Sequence, residues 1–250
     1  TDITKLMDEC KAMGILTLGP DVNESNLKIT VNHDGNIRFG LGAVKGVGEA
    51  AVQSIVEERR KNGPFRGIFD FVQRVNLNAC NKKNMECLAL AGGFDSFPEL
   101  KREQYFAVNS KGEVFLETLM KYGNRYQVDK AAAVNSLFGG ENIIDIATPE
   151  IPQGVERWNA LERLNKERDL VGIYLSAHPL DEFSIVLEHV CNTRMSELED
   201  KAALAGREIT MGGIVTGVRR GVSKNGNPYG IAKIEDYSGS AEIPFWGNDW

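Results

Sequence analysis

The sequence GLGAVKGVGEAAVQSIVEERRKNGPF, residues 40–65, decides the fold of the chain. Gly46-Val47-Gly48 at its centre predicts a tight turn, because glycines take positive φ angles and let another backbone approach closely. Residues 49–61 carry an apolar stripe at helical spacing among charged residues, which predicts an amphipathic helix that Asn62-Gly63-Pro64 ends. Together with a short apolar helix over residues 41–45, these parts predict a helix-hairpin-helix.

The predicted turn can bind an anion, because exposed N–H groups beside the positive end of the following helix attract negative charge. A phosphate of duplex DNA suits such a site, and it would be held without any base being read. Basic side chains on the neighbouring helices strengthen this prediction. The candidate DNA-binding residues are Lys45, Gly46, Val47, Gly48, Arg59, Arg60, Lys61, Lys82 and Lys83.

Other readings of these glycines compete with the phosphate site. A dinucleotide-binding fingerprint needs G-x-G-x-x-G directly after a strand, and the spacing here does not fit it. A P-loop needs Gly-Lys-Ser/Thr at its end, whereas Gly48 is followed by Glu49 and Ala50. A helix–helix turn that binds nothing remains open.

Composition limits the class of protein. The 250 residues are 42% hydrophobic, which is enough for one or two sizeable cores. The net charge of −6 excludes a generally basic nucleic-acid coat, so any DNA contact must come from local patches. Cys10, Cys80, Cys87 and Cys191 show no C-x-x-C pairing, which argues against zinc and for a reduced, cytoplasmic protein. No apolar run reaches transmembrane length, so no membrane contact is expected.

Much of the sequence on either side of this motif is also predicted to be helical. Residues 65–97 predict a second helix–turn–helix without the glycines, and stacking two such units buries both apolar faces. Residues 1–14 predict a helix whose buried face is Ile3, Leu6, Met7, Cys10 and Met13. His33-Asp34-Gly35 predicts the turn of a β-hairpin. Residues 98–130 are predicted to be helical, and their expected core residues are Tyr105, Phe106, Phe115, Leu116 and Leu119. Residues 131–154 are predicted to form an exposed connection, and residues 158–170 a further helix.

From Arg207 onward the sequence is typical of β structure. Three strands are predicted over residues 209–220, 229–235 and 241–246. A curled antiparallel meander with glycine in its long first strand suits the opening half of an OB barrel, which needs five strands. The predicted fold class is therefore α+β and mainly α, with tandem helix-hairpin-helix units and a helical region before a partial OB barrel.

Four strings carry a resemblance to a known family. GLGAVKGVGEAA, AGGFDSF, NSLFGG and GIYLSAHPLDEF, in this order, resemble the C-terminal part of the bacterial replicative DNA polymerase III alpha subunits, and the resemblance covers essentially the whole chain. It implies that residues 1–30 end the fingers region and that residues 31–97 form a tandem helix-hairpin-helix DNA-binding domain. It further implies that residues 98–204 form a helical and loop segment with a clamp-binding motif, and residues 205–250 a partial OB fold.

The same resemblance implies partners. The family's clamp motif, Gln-x-x-Leu-Phe, matches Val134, Asn135, Ser136, Leu137 and Phe138; Leu-Phe is intact, and Val134 replaces the glutamine. The implied partners are duplex DNA, the sliding clamp, other replisome subunits and single-stranded template near the OB portion. Tyr229, Phe245 and Trp246 are the candidate aromatics for stacking on that strand.

Polymerase chemistry is not expected in this chain itself. Two-metal nucleotidyl transfer needs clustered acidic ligands, whereas Asp34, Asp70 and Asp95 are scattered among turns and helix ends. In the family the catalytic carboxylates and their Mg²⁺ lie in a palm upstream, and a chain that starts at Thr1 without Met suits a piece of such a protein. The prediction is no catalytic residue, no metal and no cofactor here.

Two alternatives remain open at this point. A repair or recombination scaffold could join the same modules, although a DNA ligase of that kind would place its OB fold before the hairpins and carry zinc. A protein–protein adaptor with inert hairpins belongs to a different class. Salt-dependent DNA binding separates this adaptor from both DNA-binding readings.

Overall fold

The computed structural model describes residues 2–135 and 146–247. The chain divides into two compact units, Thr1–Ser176 and Ala177–Trp250. None of the described helices is both long enough and apolar enough to span a membrane. The four-part division implied by the family resemblance stays a prediction.

The first unit opens with a helix and a small sheet. The first helix, α1, runs over Asp2–Ala12. Strands β1 (Thr17–Leu18), β2 (Thr30–Val31) and β3 (Ile37–Arg38) form a sheet in the order β1-β3-β2. Strands β2 and β3 pair antiparallel, which confirms the predicted hairpin, while β1 pairs parallel to β3.

The predicted apolar face of α1 is only partly buried in this structure. Leu6 is 60% exposed and Met13 is 69% exposed, whereas Met7 and Cys10 are half-buried. The prediction that Leu6 and Met13 belong to a core is therefore wrong. Helical periodicity shows which residues share a face, and it does not show whether another element covers that face.

Two stacked helix–turn–helix units form the core of the first unit. In the first, a single 3-10 turn (Leu41–Ala43) stands where a longer helix was predicted, and it leads through the glycine turn into α2 (Glu49–Asn62). In the second, α3 (Ile68–Arg74) is joined to α4 (Lys82–Ala91). The predicted bounds of α2 are confirmed to within one residue, and the predicted second helix–turn–helix is confirmed. The fully buried side chains of the two helix–turn–helix units include Leu41, Val52, Ile55, Ile68, Phe71, Val72, Met85 and Leu88.

The first unit is completed by longer helices. After a 3-10 helix (Arg102–Phe106) come α5 (Phe115–Asn135) and α6 (Ala160–Val171). The predicted helix over residues 98–130 is wrong in its middle, where Val108 and Val114 pair as an isolated β-bridge. Helix α5 also continues through residues 131–135, which were predicted as connection. The predicted core residues Tyr105, Phe115, Leu116 and Leu119 are buried as expected, while Phe106 is half-buried.

The second unit combines short helices with an antiparallel sheet. The helices are α7 (Ser184–His189) and α8 (Lys201–Leu204), with 3-10 helices at Asp181–Phe183 and Met195–Glu199. Strands β4 (Ile214–Val222), β5 (Pro228–Glu235) and β6 (Ser240–Trp246) form a meander in that order. The three predicted strands are confirmed, with β4 beginning later than predicted. Over the described residues this sheet does not close into a barrel, which agrees with the predicted partial OB strands.

Candidate nucleic-acid interface

The two glycines of the predicted turn play different structural roles. Gly46 has a φ of 88°, and a Cβ placed on it would lie 2.7 Å from the Cys87 Sγ on α4. Gly48 has a φ of −76° and a ψ of 152°, and a Cβ placed on it would meet nothing within 4 Å. The prediction that both glycines need positive φ is therefore wrong for Gly48, and only Gly46 requires glycine.

Some N–H groups of the turn are already bonded. Gly48 donates to the side-chain oxygen Oδ1 of Asn84, on α4, at 2.9 Å. This bond joins the turn of the first helix-hairpin-helix to α4, the last helix of the second helix–turn–helix. Two further N–H groups donate to backbone carbonyl oxygens, Lys45 to Leu170 at 2.8 Å and Val47 to Val44 at 3.0 Å.

Other N–H groups of the turn have no protein acceptor within the described part of the chain. They belong to Gly46, Glu49 and Ala50, and we refer to them as the open N–H groups. All three residues are exposed. Glu49 and Ala50 are the first two residues of α2, where the helix dipole and the unbonded N–H groups attract an anion. This geometry suits a phosphate oxygen approaching from solvent.

Two lysines flank the open N–H groups. Lys45 immediately precedes Gly46 and is exposed. The Cε of Lys83 would lie 3.6 Å from a Cβ on Gly46, so the Lys83 side chain runs beside the turn. Neither lysine forms an ion pair among the described residues. The carboxylate of Glu49 accepts a hydrogen bond from Gln53 at 3.3 Å and is the acidic group at this end of α2.

The other predicted basic residues have different surroundings. Lys82 pairs with Glu117, and its Nζ also lies 3.7 Å from Glu86, so its charge is largely matched. Arg60 and Lys61 are exposed in the last turn of α2, about 17 Å along the axis from its first residue at 1.5 Å per residue. They cannot contact the phosphate that the turn would bind, and could reach only another phosphate of the same duplex.

Arg59 contributes to the fold instead of facing solvent. Its guanidinium donates to the carbonyls of Val22 at 2.8 Å and Ser25 at 3.0 Å, and to Asn26 Oδ1 at 3.2 Å. Burial lowers the pKa of Arg59, and nearby Asp21 opposes that effect. The side chain ties α2 to the loop before β2, which leaves little of it for DNA.

Sequence reasoning missed Asn84. This residue is 6% exposed, in the first turn of α4, and its N–H donates to Asn81 Oδ1, the cap of that helix. An uncharged polar residue on an otherwise apolar helix face is the one signal that could have identified it, because buried polar side chains nearly always have a bonding partner.

Two of the scattered carboxylates, Asp70 and Asp95, bond to nearby arginines. Burial alone would raise the pKa of Asp70, but hydrogen bonds from the Arg66 N–H and the Arg74 guanidinium lower it. Asp95 pairs with Arg102 at 2.6 Å. Among the residues that the structure describes, no group of three or more His, Cys, Asp or Glu side chains could hold a metal ion.

The other candidate sites are placed only in part. Val134 and Asn135 end α5, while Ser136, Leu137 and Phe138 lie outside the described residues. On the sheet of the second unit, the Tyr229 and Trp246 rings lie 5.1 Å apart, and Trp246 is 55% exposed. Phe245 is half-buried.

Comparison with known proteins agrees with this geometry. Residues 14–105 match the family model described as "Helix-hairpin-helix motif". The chain is 33% identical over 245 residues to DNA polymerase III subunit alpha of Pasteurella multocida, covering 98% of the chain and 20% of that protein. The corresponding proteins of Pseudomonas aeruginosa and Escherichia coli K12 are 34% and 31% identical, each over 96% of the chain and 21% and 20% of their own lengths. The resemblance read from the motifs is confirmed, and the chain spans about a fifth of the length of these relatives.

Proposed function

We propose that this chain, which is related along nearly its whole length to DNA polymerase III alpha subunits, holds duplex DNA by its backbone phosphates within a replicative polymerase. The observation that carries the proposal is the set of open N–H groups at Gly46, Glu49 and Ala50, flanked by Lys45 and Lys83. Donors on a fixed backbone and two cations suit a phosphate. They offer no pattern that distinguishes one base pair from another.

The charge of the protein sets the expected strength of this contact. With a net charge of −6, the protein as a whole does not attract DNA, so binding depends on a few local contacts. Each neutralised phosphate adds about 0.9 to the slope of log K against log salt on duplex DNA. We therefore expect weak, sequence-independent affinity, in the nonspecific range of roughly 10⁻⁴ to 10⁻⁶ M at physiological salt.

Replacing Lys83 with glutamine should weaken binding about fivefold on every duplex sequence, corresponding to about 1 kcal/mol, and should reduce the salt slope by about 1. Fluorescence anisotropy with two unrelated duplexes at several salt concentrations measures both quantities. The matched control is Lys82→Gln on the next residue. Its smaller expected effect follows from the pairing of Lys82 with Glu117.

The same titration separates the proposed function from its alternatives. If the unchanged chain shows no salt-dependent DNA binding, the adaptor with inert hairpins is the better description. If Lys82→Gln and Lys83→Gln weaken binding equally, the phosphate does not lie beside Gly46. A repair scaffold would also bind DNA; the relation to polymerase alpha subunits along 95–98% of the chain is what favours the replicative role.

We further propose, on the sequence, that Leu137 and Phe138 dock into an apolar pocket on a sliding clamp. The flanking residues are polar and glycine-rich, so these two side chains have few apolar neighbours in sequence. Burying one such side chain is worth about 1.5–3 kcal/mol, so the pair could supply much of a micromolar affinity of about −8 kcal/mol.

A peptide of residues 131–140 should bind the clamp, and a version with Leu137→Ala and Phe138→Ala should lose that binding. A Val134→Gln version is the matched gain-of-contact control. It should bind about two- to tenfold more tightly, because one hydrogen bond contributes about 0.5–1.5 kcal/mol. Isothermal titration of the three peptides decides the matter, and equal binding by the first two would make this segment a linker.

The role proposed for the second unit is contact with single-stranded template. Trp246 is exposed beside Tyr229 on the sheet, and aromatic rings stack on any base, at about 1–3 kcal/mol per base. Tyr229 and Phe245 are both half-buried, so Trp246 is the strongest of the three candidates. Contacts with other replisome subunits belong to the same proposal and rest on the relation to the polymerase subunits.

A further inference from the structure

Helix α4 presents a specific face to the glycine turn. Lys83 and Cys87 lie at positions i and i+4, and Asn84 and Cys87 at positions i and i+3, so both pairs lie on one side of the helix. The Sγ of Cys87 and the Cε of Lys83 are the side-chain atoms nearest to a Cβ placed on Gly46. Asn84 bonds to Gly48, two residues further along the turn. Helix α4 of the second helix–turn–helix, which lacks the glycines, therefore packs against the glycine turn of the first.

Asn84 is bonded at several of its polar groups. Its Oδ1 accepts from Gly48 at 2.9 Å, and its Nδ2 lies 3.4 Å from the carbonyl oxygen of Ala79. Its side chain is nearly enclosed, at 6% exposure. A buried amide bonded at both ends has one orientation, so it holds the Gly48 N–H toward α4 and away from solvent.

We infer that Asn84 is the positioning residue of the proposed phosphate site. By accepting the Gly48 N–H, it fixes the turn in the conformation in which the open N–H groups of Gly46, Glu49 and Ala50 face one phosphate. Gly48 itself does not bind the phosphate. The inference rests on the proposed function, and it assigns the first turn's geometry to a residue 36 positions away in the chain.

The bond is tested first without DNA. In Asn84→Ala, the Gly48 amide should lose its protection from hydrogen exchange, measured by NMR on the whole chain, while amides in the middle of α4 keep theirs. Asn84→Asp retains the acceptor and should keep Gly48 protected. Asn159→Ala, which removes the cap at the start of α6, the end of that helix opposite Leu170 and the glycine turn, is the matched control and should leave Gly48 protected. A Gly48 amide that stays protected in Asn84→Ala overturns the inference.

The positioning role is then tested by titrating the variants with duplex DNA over a range of salt. Asn84→Ala should bind about five- to tenfold more weakly, and its salt slope should fall by about 0.9, which is the loss of one phosphate contact. A merely structural role would reduce the folded fraction and leave the slope unchanged, as expected for Asn159→Ala. Should the alanine variant fail to fold, Asn84→Leu fills the same space without an acceptor and is read in the same way.

The outcomes separate this inference from the proposed function. A folded Asn84→Ala variant that binds with unchanged affinity and slope overturns the inference and leaves the proposed function standing. An unchanged chain that shows no salt-dependent binding overturns both. A weaker variant with an unchanged slope shows that Asn84 supports the fold only, and this too overturns the inference.

Discussion

Replacing Glu167 with alanine is expected to lower the free energy of unfolding of the first unit by about 3–5 kcal/mol, the usual effect of breaking a buried charge pair. Glu167, on α6, is 2% exposed. Its carboxylate lies 3.2 Å from Arg102 Nη1 and accepts the N–H groups of Leu175 at 3.0 Å and Ser176 at 2.8 Å. One side chain thus joins α6 to the 3-10 helix that contains Arg102 and to the segment that follows α6.

The size of the effect follows from what the substitution leaves behind. Arg102 is 8% exposed and would keep its charge, with Asp95 and the Leu90 carbonyl as its remaining partners among the described residues. The Leu175 N–H would lose its acceptor in a buried position, and an unsatisfied buried donor costs about 1–3 kcal/mol.

Asp95→Ala is the matched control, because Asp95 binds the same guanidinium at 2.6 Å from a side chain that is 48% exposed. Its loss should cost about 1 kcal/mol or less, since water can replace the carboxylate. Urea unfolding followed by far-UV circular dichroism measures both variants, as most helices belong to the first unit. Equal losses in the two variants would show that burial of Glu167 is not what sets its contribution.

Parts of the fold could be predicted because their signals are local. The glycines at 46 and 63 and the apolar spacing between them act within a few residues, and they set α2 correctly. The β meander follows in the same way from alternation and from turns rich in glycine. The GIYLSAHPLDEF string entered only as a resemblance, and the bonds from Leu175 and Ser176 to Glu167 now give part of it a physical role.

The candidate site could be predicted only in part, because its geometry depends on contacts between distant residues. Arg59 was assigned to DNA on charge and proximity in sequence, but its partners Val22 and Ser25 lie 37 and 34 positions away. Asn84 was missed because nothing near it in sequence indicates that the Gly48 N–H needs an acceptor. Charge alone does not reveal whether a guanidinium faces solvent or backbone carbonyls.

Replacing Gly46 with alanine should destabilise the first unit by about 2–5 kcal/mol, whereas the same change at Gly48 should stay within about 1 kcal/mol. At Gly46 an alanine would have to keep a φ of 88°, which costs an L-residue about 1–2 kcal/mol. Its Cβ would also overlap the Cys87 Sγ, and overpacking adds about 1–3 kcal/mol. At Gly48 the backbone already has an ordinary φ and the space is open.

A double-mutant cycle separates these two costs at Gly46. Cys87→Ala removes the sulfur that the new Cβ would meet, so Gly46→Ala should cost about 1–3 kcal/mol less in that background, while the cost of positive φ persists. DNA titration of the same variants should show weaker binding for Gly46→Ala alone and near-unchanged binding for Gly48→Ala. Equal loss of stability at the two glycines would contradict the turn geometry, because the sequence Gly-Val-Gly is symmetric and only the folded backbone distinguishes its two ends.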